Sequence, residues 1–288
     1  MPELPEVEVL ARGLRKHVVG KTIARVEVRD RKKFRGSPAQ LRKFVLGKKI
    51  VSIERWAKWL GLQLNSGYTF IIHLKMTGQL LYDNGEPKFL GGHTMGKEQT
   101  QLPNSHTRVI FYFSDNSRLF FQDMRKFGYV ELYSPTELIE YFSLKKLAFE
   151  PLQRQFTFKY FSEQLKRHPA TSLKAVLLNQ SVVAGLGNIY ADDTCWLAHI
   201  KPMRRVSSLT VAEQRAVFTA SRQILREAIR LGGTSFSHFY QVDGRTGSYW
   251  AKRKVYNRTG EPCRRCKTLI KKTRCAGRGT HYCPNCQR

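Results

Sequence analysis

No apolar run in this 288-residue chain approaches the ~20 residues that a membrane span requires. Acidic residues are scarce, 22 Asp and Glu against 50 Lys and Arg, which leaves a formal net charge of +28. The opening stretch MPELPEVEVL lacks the basic and apolar regions of a signal peptide and the arginines of a transit peptide. No internal repeat or low-complexity tract is evident. Cysteine is nearly absent until the end: outside the last 26 residues only Cys195 occurs, and the other five are Cys263, Cys266, Cys275, Cys283 and Cys286. These absences argue against a membrane span and against a disulfide-stapled secreted scaffold, and give the expectation of a cytoplasmic protein. Hydrophobic residues at 41% and charged residues at 25% exclude disorder as the main state. So positive a field favours a polyanionic partner, either nucleic acid or an acidic membrane surface.

Three regions differ in pattern. Residues 1–133 hold short β-branched and aromatic runs: Thr22–Arg29, Lys49–Arg55, Gly61–Leu64, Thr69–Leu74, Gln79–Tyr82, Arg108–Phe113, Arg118–Gln122 and Gly128–Leu132. Many short strands without long intervening helices predict an antiparallel sandwich or barrel. A helix precedes them, with Pro5 in its first turn and Val7, Leu10, Ala11, Leu14 and Val18 on one stripe. Another covers about Pro38–Val45. Residues 83–107 are polar and rich in Gly and Pro, as in a long mobile loop. Residues 134–231 are mainly helical. Thr210-Val-Ala-Glu213 forms a capping box that opens a helix to about Arg230, and helices are expected at Ser172–Gln180 and Ile189–Ala198. A flexible-looking Gly/Ser/Thr-rich stretch at 232–249 lies between this region and the next. Residues 250–288 are strongly basic: from 252 onward, 12 Lys and Arg stand against Glu261 alone.

Cys263-x2-Cys266, sixteen residues, then Cys283-x2-Cys286 is a strong metal pattern. Each C-x2-C turn can present two thiolates, and two turns at the ends of a hairpin complete a closed tetrahedral site. Such a segment is too small and polar to hold a core, so metal-binding energy is its folding energy. One structural Zn2+ is expected, without a catalytic role. The competing reading is four surface thiols. Cys275 and His281 are worse-spaced substitute ligands, and Cys195 reads as a small core residue. Lys271, Lys272, Arg274 and Arg278 on this hairpin could reach phosphates, or could be a solvated basic face.

At the other end, Met1-Pro2 is a context in which the initiator methionine is removed. That leaves a secondary amine with a pKa near ~8, below that of lysine. Attack of this amine on an aldehyde-level carbon gives an iminium with no N–H proton to lose, an electron sink suited to covalent catalysis. Glu3 and Glu6 stand beside it. They are either its acid–base partners or ordinary complements to the helix dipole.

Taken in order, Pro2-Glu-Leu-Pro-Glu-Val-Glu8, Ala57-Lys58, His73-Leu-Lys-Met-Thr-Gly78, Asp123-Met-Arg-Lys-Phe-Gly128, Gly187-Asn-Ile-Tyr-Ala191 and Ala276-Gly-Arg-Gly-Thr-His-Tyr-Cys283 resemble the bacterial formamidopyrimidine-DNA glycosylase family over essentially the whole chain. The resemblance implies an α+β multidomain fold: an N-terminal antiparallel β-sandwich with flanking helices (1–133), a helical helix–two-turn–helix domain (134–249, with a lesion-recognition loop at about 232–249), and a four-cysteine zinc-finger hairpin (250–288). It implies a monomeric base-excision repair enzyme acting on double-stranded DNA that contains oxidised bases or abasic sites, with no membrane partner. The activity would be a bifunctional glycosylase/AP lyase excising 8-oxoguanine and formamidopyrimidines. Transferred residue by residue, Pro2 is the nucleophile, Glu3 the acid acting on the sugar ring oxygen and Glu6 a supporting carboxylate. Lys58 serves β-elimination and Arg278 δ-elimination. Lys58, between Trp56 and Trp59, would by itself read as an ordinary strand lysine. Met76, Arg125 and Phe127 match a wedge that fills the gap left by a flipped base, although Met76 and Phe127 alone read as core. His73, His106, Asn188, Tyr256 and Lys272 match DNA contacts, and Lys174 matches a residue on the helical side of the lesion. Cys263, Cys266, Cys283 and Cys286 match the zinc ligands. Departures are the long 83–107 stretch, Leu147-Ala-Phe-Glu-Pro-Leu152 at the hinge, and His168-Pro169-Ala170 in place of a basic cluster. Rival readings are an endonuclease VIII-like glycosylase for oxidised pyrimidines, against which Leu4 and the Phe236–Tyr249 segment argue, and a non-catalytic zinc DNA-binding protein.

Overall fold

The expected first helix, α1, runs from Leu4 to His17, one residue earlier than Pro5 alone would place it, because Glu3 serves as N-cap. Its stripe of Val7, Leu10, Ala11 and Leu14 is fully buried. This computed structural model describes residues 1–85, 102–235, 241–242 and 245–288. The chain forms two compact units, Met1–Phe142 with Leu231–Ser248, and Ser143–Arg230 with Tyr249–Arg288.

In the first unit α1 is followed by β1 (Ile23–Val28), β2 (Phe34–Arg35), α2 (Pro38–Phe44), β3 (Ile50–Trp56), β4 (Trp59–Leu64), β5 (Thr69–His73), β6 (Gly78–Asp83), β7 (Thr107–Phe113), β8 (Arg118–Asp123) and β9 (Tyr129–Tyr133), and α3 (Pro135–Lys145) begins in this unit and ends in the second. The strands form two sheets, ordered β1-β7-β8-β6 and β2-β9-β5-β4-β3. Pairing is antiparallel except for β2, which runs parallel to β9 over two residues and is too short to show a period in the sequence. One apolar core joins both sheets to α1: Phe70, Ile72 and Leu62 from one, Phe111, Phe121 and Leu80 from the other, and Val7, Leu10 and Leu14 from the helix. That is the expected sandwich. Strand β6 alternates buried and half-buried residues, as a strand with one covered face should. Strand β5 is buried throughout.

The Leu231–Ser248 segment groups with these strands in the first unit. Long-range polar contacts hold it there. Thr234 N–H donates to the Glu6 carboxylate at 2.7 Å and Tyr82 N–H donates to the Val242 carbonyl at 3.2 Å. Val242 itself is buried in the core. The expected loops at 83–107 and 232–249 fall partly outside the described residues, at 86–101, 236–240 and 243–244.

The second unit contains α4 (Phe158–Lys166), α5 (Leu173–Leu178), α6 (Asn188–Leu197), α7 (Val211–Arg230), α8 (Tyr249–Lys252) and the antiparallel pair β10 (Lys271–Cys275) and β11 (Arg278–Tyr282). Thr210 and Glu213 cap α7 reciprocally, at 3.2 and 2.8 Å, as their spacing predicts. The link from α5 to α6 is stapled by one side chain. Gln180 donates to the carbonyls of Leu178 and Leu186, both at 2.9 Å, and accepts from Gly185 N–H at 2.9 Å. Phe156, Phe161 and Phe218 pack α4 against α7, with the Phe156 and Phe218 rings stacked at 5.6 Å.

Candidate active site and nucleic-acid interface

In the first unit the chain start and the segment after Leu231 meet on one carboxylate. Glu3 and Glu6 are both 2% exposed. Glu6 Oε2 accepts from Glu3 N–H at 2.8 Å, and Oε1 accepts from Thr234 N–H at 2.7 Å. Gly233 lies over Glu6 with φ +79°, a left-handed conformation that glycine adopts without strain. An added Cβ there would come within 3.1 Å of Glu6 Oε1. Glu6 is thus a structural bridge, and Pro2, half-buried, lies just ahead of this pair.

Lys58 occupies the turn between β3 and β4, beside Ala57 at φ +50°, and is 6% exposed. The turn is tied to α1: Arg55 Nε donates to Glu8 at 2.7 Å, and Arg55 Nη1 donates to the Ala57 carbonyl at 3.0 Å. Burial opposes the charge on Glu8, but Arg55 and Arg12 outweigh it and hold this carboxyl below the usual range. The helix carrying the amino terminus and the lysine turn are therefore held by one charge-assisted chain.

His73 ends β5. Its ring lies edge-on to Trp59 at 4.7 Å and 5.7 Å from Tyr129. Nδ1 accepts from Lys75 N–H at 2.9 Å. Met76, Arg125 and Phe127 are all exposed, so the core reading of Met76 and Phe127 does not hold. The three cluster: Arg125 Nη1 is 3.1 Å from Met76 Sδ, and its guanidinium lies 5.0 Å from the Phe127 ring centroid. Buried Asp123 organises them. Its carboxylate accepts from Gly128 N–H at 2.6 Å, from Arg125 N–H at 3.2 Å and from the Thr77 hydroxyl. Gly78 closes the Met76 turn so tightly that a Cβ would lie 2.4 Å from the Leu74 carbonyl. His106 is half-buried, and its carbonyl accepts from Asp123 N–H at 2.9 Å, next to the same cluster.

In the second unit Asn188 begins α6, and its amide donates to the Gly279 carbonyl at 3.0 Å. Tyr256 N–H donates to Asp193, whose carboxylate also accepts from Tyr249, Lys254 and Val255. Burial pushes the Asp193 carboxyl upward, against these donors. Lys272 and Arg278 are exposed on the β10–β11 pair, whose connection runs through Ala276 (φ +52°) and Gly277 (φ +68°). At its base the sulfurs of Cys263, Cys266, Cys283 and Cys286 all lie within 4.8 Å of one another.

Comparison with known proteins agrees with this arrangement. Residues 1–130 match the formamidopyrimidine-DNA glycosylase N-terminal domain, 147–240 its H2TH domain, and 260–288 the zinc finger found in FPG and IleRS. The formamidopyrimidine-DNA glycosylase of an Exiguobacterium species is 40% identical over 288 residues, covering 100% of this chain and 99% of that protein. The chain belongs to the formamidopyrimidine-DNA glycosylase family. Among solved structures, the Lactococcus lactis Fpg in complex with abasic-site DNA superposes with a TM-score of 0.85 at 35% identity, covering 99% of both chains. MutM (Fpg) from Thermus thermophilus does so with 0.84 at 36% identity, covering 99% of this chain and 98% of that one.

For this glycosylase family member the zinc expectation passes a geometric test. Zn–S bonds near ~2.3 Å in a tetrahedron put sulfurs roughly 3.8 Å apart. Cys263 and Cys286 are 3.9 Å apart, Cys266 and Cys283 3.5 Å. Trp196 Nε1–H and Cys286 N–H each donate to a cluster sulfur at 3.3 Å, as outer donors to thiolates do. Cys275 instead contacts Ser172 and His281 binds Asp192, so neither is a substitute ligand, and Cys195 is buried in α6.

One expected DNA contact is corrected. Lys174 is 0% exposed, and its ammonium donates to Asp192 at 2.6 Å, to Thr280 Oγ1 at 2.8 Å and to the Gly279 carbonyl at 3.1 Å. All three of its protons have internal partners, so it has none for DNA. Two residues have no role that the sequence alone assigns. Asp123 heads its own motif yet carries no chemistry that spacing reveals, and Lys75 lies between two residues that do stand out. Lys75 has its ammonium 5.7 Å from the Tyr129 ring centroid, beside His73.

Glu6→Ala should destabilise the first unit by about 2–3 kcal/mol, because two buried N–H groups lose a charged acceptor. Urea unfolding followed by circular dichroism checks this, and a change within error would show that Glu6 is not the bridge.

Proposed function

We propose that this chain is a bifunctional DNA glycosylase/AP lyase that removes oxidised purines, 8-oxoguanine and formamidopyrimidines, from double-stranded DNA. The observation that carries the reading is the buried pair that follows Pro2. Glu3 and Glu6 are both buried there and cap the first turn of α1 reciprocally, which supports Glu3 as the acid and Glu6 as the supporting carboxylate.

The nucleotide is first flipped out, since C1′ cannot be attacked within the stack. Met76, Arg125 and Phe127, exposed together on two adjoining turns, fill the gap, and the Arg125 guanidinium meets the acceptors of the orphaned cytosine. Once Met1 is removed, the Pro2 nitrogen attacks C1′ and the base leaves. Glu3 protonates the ring oxygen, the sugar opens, and the Pro2 nitrogen becomes an iminium. That cation acidifies the C2′ proton, so the 3′ phosphate departs by β-elimination near Lys58 and the 5′ phosphate by δ-elimination near Arg278. Lys58 is held at its turn by the Glu8–Arg55 chain. His73, His106, Asn188, Tyr256 and Lys272 hold backbone phosphates. The bound zinc ion would supply no chemistry to the substrate, because four thiolates fill its coordination.

Excision rates on 8-oxoguanine and thymine-glycol duplexes test the substrate class. A preference for the oxidised purine of at least about tenfold is expected, within the range that one recognised polar group gives. Equal rates, or a preference for thymine glycol, would replace this reading with the oxidised-pyrimidine one.

A further inference from the structure

Buried charge in the second unit lies directly behind the residue assigned to δ-elimination. The Asp192 carboxylate and the Lys174 ammonium are both 0% exposed and 2.6 Å apart. Such a pair is weak evidence for stability, because desolvation consumes most of its Coulomb gain. Its hydrogen bonds point outward, to one strand. Lys174 donates to Thr280 Oγ1 at 2.8 Å, and Thr280 Oγ1 in turn donates to the Arg278 carbonyl at 3.0 Å. Lys174 also donates to the Gly279 carbonyl at 3.1 Å, which Asn188 shares at 3.0 Å. Asp192 Oδ2 accepts from His281 N–H at 2.8 Å. Residues 279 to 281 are thus each gripped from α5 or α6 through a backbone or hydroxyl group, and Arg278 is held one step further on, through Thr280. The Arg278 side chain itself stays exposed, next to a two-residue turn with two left-handed residues.

We infer that Asp192, Lys174 and Thr280 form a relay that positions Arg278 for δ-elimination. The charge pair fixes the Thr280 hydroxyl, and that hydroxyl fixes the Arg278 backbone. The hairpin ladder pairs Arg278 with Cys275, and the first four residues of β10 are exposed, so the grip from α5 and α6 on residues 279 to 281 anchors the Arg278 strand to the rest of the unit. Lys174 is a positioning residue here and touches no substrate. The inference rests on the assignment of δ-elimination to Arg278.

Thr280→Val tests it in the full-length, zinc-loaded protein, because valine keeps the volume and leaves the Lys174–Asp192 pair intact. On an abasic-site duplex, the ratio of β,δ product (3′ phosphate) to β product (3′ unsaturated aldehyde) should fall by about 10- to 100-fold, the scale of an ångström-level misplacement. Borohydride trapping and bound zinc should stay unchanged, and Thr280→Ser should restore the ratio. The double variant Lys174→Met/Asp192→Asn, which leaves no lone buried charge, should lower the ratio like Thr280→Val. Arg278→Ala serves as the reference. If Arg278→Ala loses δ-elimination while Thr280→Val and the double variant keep it, the relay is overturned alone. If Arg278→Ala keeps δ-elimination, the assignment of Arg278 falls and the relay falls with it. A parallel loss of trapping, zinc and δ-product in Thr280→Val that serine does not restore would mark a general fold defect and also overturn the relay.

Discussion

Protein that retains Met1, or whose Pro2 nitrogen is acetylated, should form no borohydride-trapped adduct with lesion DNA and lose base excision by about 10^3-fold or more, as enzymes do when a covalent nucleophile is removed. The reasoning is electronic. A secondary amine that adds to C1′ and expels the base leaves a fully substituted iminium nitrogen, which cannot revert to a neutral imine by losing an N–H proton. Only this species keeps the electron sink in place for both later eliminations. An acetylated nitrogen has no available lone pair, and an uncleaved Met1 converts the amine into an amide. Neither block should disturb the fold. Met1 is half-exposed, and the contacts of the first turn run through Glu3 N–H and Glu6, downstream of the blocked atom. Intact mass and thermal midpoint should confirm a folded, blocked protein. Strand scission at an undiminished rate in that protein, or peptide mapping that places the reduced sugar on a lysine such as Lys58, would refute the Pro2 mechanism.

How far the sequence reaches depends on whether the determining contact is local. The strands of the sandwich were readable because alternation is a local property, and β3, β5, β7 and β8 differ from expectation by a residue or so. The α7 cap and the cysteine quartet were readable for the same reason, since a spacing of three residues sets each. The placement of Leu231–Ser248 was not, because it depends on Thr234 meeting Glu6 at a separation of 228 residues. Lys174 shows a different limit. Its motif position fits a DNA contact, and only Asp192, from the next helix, and Thr280, from the hairpin, reveal that the ammonium faces inward. The wedge residues were legible only as a motif. Met76 and Phe127 are apolar, and composition would bury them. Their exposure follows from Asp123, which draws the backbone of the Arg125 and Gly128 turn and the Thr77 hydroxyl onto one carboxylate.

Stripping the metal with a chelator should unfold the finger and lower strand nicking by about 100-fold or more, on the argument that binding free energies of about 10–16 kcal/mol are lost with the ion. The hairpin has little to replace that term. Lys271, Lys272, Thr273 and Arg274 of β10 are all exposed. The small cluster beneath it is built from Trp196, Val255, Ile270 and partly buried Leu197 together with the cysteines themselves. Four neighbouring thiolates without a cation would also repel one another. Loss of the hairpin withdraws the Gly279 carbonyl from Lys174 and Asn188 and His281 N–H from Asp192, so α5 and α6 should loosen at that junction while the Phe156–Phe161–Phe218 packing between α4 and α7 persists. The sandwich of the first unit has its own core and should keep its β-sheet circular dichroism. Adding Zn2+ back should restore nicking, with release of zinc followed by a colorimetric chelator as the paired measurement. Undiminished nicking by protein with no measurable zinc would show that the cluster is dispensable and that Arg278 and Lys272 are held by the polypeptide alone.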